Sequence, residues 1–132
     1  MGYYTDYDLG AYYYKNDPCC SQVITGNLHG DLLKAVRDEI EQMNVFEDNY
    51  NGARWYVNAK WYEYDSDMCL LSSKFPDVMF ELSGNGEDTE DMWIAYFYQG
   101  KMQHCPAIIT YDDMDLKKMV SKELPQNYYY RS

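Results

Sequence analysis

Two histidines, four cysteines and 22 carboxylates are the side chains from which this 132-residue chain would have to assemble catalysis or metal binding. His29 and His104 have no serine or cysteine beside them in a recognised nucleophile motif. His104 precedes Cys105, but neighbours on a strand point to opposite faces. Cys19, Cys20, Cys69 and Cys105 form no CxxC pair and no Cys/His set with zinc-ligand spacing. Glu87, Asp88, Glu90 and Asp91 offer oxygen ligands suited to calcium or magnesium, yet they lack the D-x-D-x-D-G pattern with a distal glutamate. Ser83-Gly84-Asn85-Gly86 has two glycines of a phosphate-cradling loop but no Lys-Ser/Thr, and the four acids after it would repel phosphate. The expectation is a protein without catalytic residues, metal or cofactor, acting by binding. A small hydrolase built on a Cys/His pair or on two carboxylates stays open as an alternative.

The side chains that could bind are acids and aromatics. The acids gather in three places: 38 to 48, with Glu47 and Asp48 at its end; Glu87, Asp88, Glu90 and Asp91; and Asp112, Asp113 and Asp115. They read either as solvated surface and helix caps or as spaced carboxylates imitating a nucleic-acid backbone. The net charge of −11 argues against direct contact with nucleic-acid phosphates or an anionic membrane, and it suits a basic, nucleic-acid-binding protein partner. Tyrosine occurs 16 times, so many of these rings must sit at the core boundary with their hydroxyls in reach of water or a partner. Tyr12, Tyr14, Tyr56, Tyr62, Tyr96 and Tyr98 are the candidate aromatic anchors, from the strand faces that core packing does not claim.

The positioning elements follow from periodicity. Tyr3 to Tyr14 alternates as a half-buried strand, with Tyr7, Leu9, Ala11 and Tyr13 on one side and Asp6, Asp8, Gly10, Tyr12 and Tyr14 on the other. Lys15-Asn16-Asp17-Pro18 then breaks it and opens a loop to about Gly30. Leu32, Val36, Ile40 and Met43 predict a helix started by Asp31, and Arg54 to Tyr62 predicts an aromatic strand. Asp65 caps a second, short helix through Met68, Leu71 and Phe75 that Pro76 stops. Val78 to Leu82 is a strand, Ser83 to Asp91 a polar loop and Met92 to Tyr98 another strand. Gln99-Gly100 makes a tight hairpin to a strand over Lys101 to Tyr111, where Pro106 marks an edge or bulge. Asp112 and Asp113 lead into a last helix through Leu116, Met119 and Val120, ended near Pro125. This order predicts one α+β domain over residues 1 to 132: a single antiparallel sheet with helices on one face, most economically a ferredoxin-like variant.

Composition sets the remaining bounds. At 46% apolar residues the chain can bury a core without staples. With no charged-then-apolar leader and no apolar run near the roughly 20 residues that span a bilayer, a reducing cytoplasm and free thiols are expected.

The chain also resembles a widespread group of small uncharacterised proteins of bacteriophages and bacterial mobile elements. The resemblance lies in Met1-Gly2-Tyr3-Tyr4-Thr5, Lys60-Trp61-Tyr62, Asp67-Met68, Leu71-Ser72, Lys74-Phe75-Pro76, Phe80 through Glu87, Asp91-Met92-Trp93, Tyr96-Phe97 and Gly100 through Gln103. It covers the first few residues and about half of the remainder; residues 12 to 58 match poorly. It implies a ferredoxin-like core and a phage or prophage setting, and it brings no catalytic residues. Small acidic phage proteins are similar to inhibitors of host nucleic-acid enzymes, anti-CRISPR proteins among them. The expected function is therefore to bind and block a basic host nucleic-acid-handling protein, such as a CRISPR effector, in the host cytoplasm. The other open expectation is a small-ligand sponge for a signalling nucleotide, for which Arg37, Arg54, Lys60 and Lys101 would supply the phosphate pocket.

Overall fold

The computed structural model describes residues 4–17, 19, 21–46, 50–86 and 91–123. Its organising element is β1 (Thr5–Asp17), whose period-two pattern buries Thr5, Tyr7, Leu9 and Ala11 and turns Asp6, Asp8, Tyr12 and Tyr14 the other way. Around it stand β2 (Gln22–Gly26), β3 (Tyr50–Asn51), β4 (Arg54–Ala59), β5 (Val78–Asn85), β6 (Met92–Tyr98) and β7 (Lys101–Pro106). The sheet order is β3-β4-β1-β5-β6-β7, with β2 paired to the far end of β1, and every pairing is antiparallel. β4 and β5 both run antiparallel to β1, which lies between them, so they are parallel to each other, and the helix Tyr64–Lys74 connects them as in a split βαβ unit.

One face of the sheet carries the core. Tyr7, Leu9 and Ala11 of β1, Trp55 of β4, Val78, Phe80 and Leu82 of β5 and Trp93, Ala95 and Phe97 of β6 join one buried cluster. The helices complete it: α1 (Gly30–Gln42) contributes Val36 and Ile40, and α2 (Tyr64–Lys74) contributes Met68 and Leu71. Each fully buried side chain of this size stabilises the fold by about 1.5–3 kcal/mol before entropy is counted. Gly84 is part of this packing. A Cβ there would lie 2.3 Å from the Trp93 ring, which stacks on Tyr64 with centroids 4.7 Å apart. A glycine in mid-strand thus marks a close approach of a ring to the backbone.

Hydrogen bonds tie the helices to the sheet. Tyr7 donates its hydroxyl to the Trp61 carbonyl at 3.2 Å, and Trp61 Nε1 donates to Asp67 Oδ2 at 2.8 Å. The buried Ser72 hydroxyl donates to the Cys69 carbonyl at 2.9 Å and accepts from the Gly100 amide at 3.0 Å, fixing the β6–β7 turn against α2. That turn has positive φ at Gln99 and Gly100, as a two-residue hairpin of this hand requires. Lys74 Nζ meets Glu39 Oε2 at 2.9 Å and joins the two helices.

The single antiparallel sheet with helices on one face, and strands starting at Val78, Met92 and Lys101 with the Gln99-Gly100 turn between the last two, are as the sequence predicts, but the last strand ends at Pro106 rather than at Tyr111. Four further local expectations are corrected. Residues 15 to 30 are not a plain loop, since β1 runs on to Asp17 and β2 pairs with it as a hairpin. Neither aspartate caps its helix: His29 and Glu63 occupy the N-cap positions without side-chain capping bonds, and Asp31 and Asp65 sit in the first turns. There the charge still favours the helix dipole. β5 continues through Ser83-Gly84-Asn85, which composition reads as a loop. The expected last helix is, among the described residues, only a 3-10 turn at Leu116–Lys118 capped by Asp115. No helix among the described residues is long and apolar enough to cross a membrane.

Candidate partner-binding face

The face of the sheet turned away from the helices collects the residues that β1 leaves out of the core. Register places Tyr56, Asp8, Ser83, Ile94 and Cys105 in one row across five strands, and Arg54, Gly10, Glu81, Tyr96 and Gln103 in the next. Tyr12 opposes Met79 one row further on. Tyr14 and Tyr98 meet edge to face with centroids 5.1 Å apart, and the Tyr98 hydroxyl donates to the Tyr14 carbonyl at 3.5 Å. Tyr12, Tyr14, Tyr96 and Tyr98 are half-buried by one another and by the sheet, and Tyr56 is exposed. Among the described residues no helix packs over this face.

Such rings present area at little entropic cost, because the sheet already holds them. Burial raises the Tyr12 phenol above its ordinary pKa, and the nearby Glu81 carboxylate and the Tyr96 and Tyr14 hydroxyls push the same way. The Tyr98 phenol is raised as well, by burial first and then by Asp77 and Tyr14. Both rings therefore act as neutral hydrogen-bond donors at physiological pH. Arg54 Nη2 donates to Asp8 Oδ1 at 2.8 Å, and Asn58 Nδ2 donates to Asp6 Oδ1 at 2.7 Å. The hydrogen bond to Asp8, followed by one to Tyr56, strengthens the hold of Arg54 on its proton.

At one side the face opens into a cleft of about 760 Å³. It exists because, on the edge of β1 away from β5, β4 pairs only as far as Gly10 and β2 only from Tyr13, so no strand ladder covers Ala11 and Tyr12 on that edge. Gly10, Tyr12, Arg54 and Glu81 line it from the open face, and Ala11, Leu28, Leu33 and Ala53 from the helix side.

Of the six tyrosines named from sequence, Tyr12, Tyr14, Tyr56, Tyr96 and Tyr98 share this face. Tyr62 lies apart in the turn before α2, 70% exposed. The named acids do not share it. Asp91 is half-buried beyond the end of β5, where its carboxylate adds to the raised pKa of Tyr7 and Tyr64, and Asp112, Asp113 and Asp115 lie exposed in the segment after β7. Glu47, Asp48, Glu87, Asp88 and Glu90 fall outside the described residues. The charges that do stand on this face are Asp6, Asp8, Glu81, Arg54 and, opposite Tyr98, Lys101. The alternation of β1 carried the signal for the two aspartates, as they share a side with Tyr12 and Tyr14.

The four cations considered for a phosphate pocket do not converge. Arg54 is on the open face, Arg37 on α1 donates to the Gly52 carbonyl at 2.9 Å, and Lys60 Nζ sits over the Tyr4 ring. Lys101 begins β7, four strands from β4. His29 and His104 are exposed, and among the described residues no hydrogen bond joins either to a thiol or carboxylate. No group of three or more His, Cys, Asp or Glu suited to a metal is found among the described residues. Comparison of the chain with models of protein families, with curated proteins and with solved structures returns no match.

Proposed function

We propose that this chain is a binding protein without catalytic chemistry, which docks on a basic protein through the open face of its sheet. The observation that carries this reading is the gathering of Tyr12, Tyr14, Tyr56, Tyr96 and Tyr98 from three strands onto one uncovered face, with Asp6, Asp8 and Glu81 among them. Tyrosines held in place are efficient anchors, and the carboxylates complement Lys and Arg on the partner. The net charge of −11 steers the encounter in the same sense. In its most specific form the proposal makes the chain a phage or mobile-element inhibitor in the host cytoplasm, blocking a nucleic-acid-handling protein such as a CRISPR effector. Nothing in it depends on a ferredoxin-like kinship of the fold.

The test is affinity capture from a bacterial lysate on the immobilised chain, at low salt and at about 0.5 M salt, where charge attraction is screened beyond roughly 4–5 Å. A basic, nucleic-acid-binding protein is retained at low salt, is released at high salt, and is not retained by a Tyr12→Ser/Tyr96→Ser variant. Retention that ignores both salt and that substitution contradicts the proposal.

A second reading is favoured by the cleft, whose volume lies in the range of small-ligand sites. Arg54 at its wall would take an anionic group, as a nucleotide-sequestering protein requires. Stabilisation of the fold by a nucleotide, lost in Arg54→Ala, would support this reading over the first.

A further inference from the structure

The segment that follows β7 leaves the body of the protein with its apolar side chains outward. Ile108 is 88% exposed, Ile109 54%, Tyr111 89%, and Met114, Leu116, Met119 and Val120 are between 60% and 75%. At roughly 100–150 Å² each these seven side chains hold about 900 Å² of apolar surface, comparable with the ~800 Å² that each partner contributes to a standard interface. Scattered exposed apolar residues need no explanation, but seven within thirteen positions of one arm do.

The backbone shows the same vacancy. Ile108-Ile109-Thr110-Tyr111 is made of strong strand formers and continues the pattern of β7. The strand stops because its neighbour runs out: β6 begins at Met92, and the last ladder bond runs from the Ala107 amide to the Met92 carbonyl at 2.8 Å. Among the described residues the next backbone hydrogen bond along the arm is the Lys118 amide to the Asp115 carbonyl. The amides and carbonyls of residues 108–111 make no backbone bond among the described residues and can pair with a strand from elsewhere. The outer edge of β7 is a poorer template, because Pro106 has no amide to offer.

From these observations we infer that the arm docks in trans on a second copy of this chain, with Ile108 to Tyr111 continuing β7 as a strand paired antiparallel to the same segment of that copy. A segment paired antiparallel with its own twin satisfies twofold symmetry, the commonest symmetry of soluble oligomers. Both arms together would bury an area sufficient for a stable dimer. The pairing segment, Ile108 to Tyr111, contains none of the tyrosines of the open face.

Sedimentation equilibrium on the full chain, with amide hydrogen exchange read at residues 108–111, tests this. The wild type is expected to be a dimer with slow exchange in that segment. An Ile108→Asp/Ile109→Pro variant is expected to be monomeric, its dissociation constant raised at least about a hundredfold, with unchanged near-UV circular dichroism because the arm lies outside the core. A wild type that stays monomeric at millimolar concentration overturns the inference, and so does a variant that dimerises within about threefold of the wild type.

Discussion

Arg54 Nη2 donates to Asp8 Oδ1 at 2.8 Å across neighbouring strands, its guanidinium lying over Gly10, where a Cβ would come within 3.0 Å of Nη1. The ion pair joins β4 to β1 at the centre of the tyrosine face, with side-chain exposures of 53% and 35%. Pairs this exposed contribute little. A double-mutant cycle with Asp8→Asn and Arg54→Ala, measured by urea denaturation, should give a coupling below about 1 kcal/mol that fades in molar salt.

Gly84→Ala should be far more damaging than its size suggests. The added methyl meets the Trp93 ring at 2.3 Å, and that ring is held between Gly84 and Tyr64. Overpacking of this kind costs about 1–3 kcal/mol. Urea denaturation should show that loss, with a changed near-UV signal from the displaced indole.

Stability should fall at alkaline pH. Burial is the leading cause that raises the phenols of Tyr7, Tyr12, Tyr64 and Tyr98 above the ordinary value of 10.0. For a group whose folded pKa is raised, the folded state holds the proton more tightly, so its contribution is complete below the unfolded pKa and is lost as pH rises through the folded one. The unfolding free energy should therefore decline from about pH 10 upward. Tyr7→Phe should cost about 1 kcal/mol at neutral pH, through the lost hydrogen bond to the Trp61 carbonyl, and make the alkaline decline shallower.

Legibility in the sequence tracked how local the cause was. The alternation of β1, the Gln99-Gly100 turn and the apolar spacing of α1 are short-range signals, and they located those elements and the outward side of β1. β2 escaped because Asn16, Asp17 and Pro18 read as a loop and because all five of its residues are exposed, so no core pattern marks it. Ser83-Gly84-Asn85 read as a loop by composition, whereas the ring of Trp93 and a place between β1 and β6 make it a strand. Leu116, Met119 and Val120 have helical spacing but no surface in their own chain to bury against, and spacing alone does not hold a short helix. The tyrosines of the open face could be named singly. That five of them share one face, without the acid clusters, follows from strand order, which no local pattern encodes.

The most direct test of the central claim compares the affinity of the captured partner for three proteins by isothermal titration calorimetry: wild type, Tyr12→Ser/Tyr96→Ser and Tyr62→Ser. Loss of two anchors should weaken binding at least about a hundredfold, while Tyr62→Ser, exposed but off the face, should stay within about threefold. Equal affinities for wild type and the double variant, with the fold intact by circular dichroism, would contradict the assignment of the open sheet face as the binding surface.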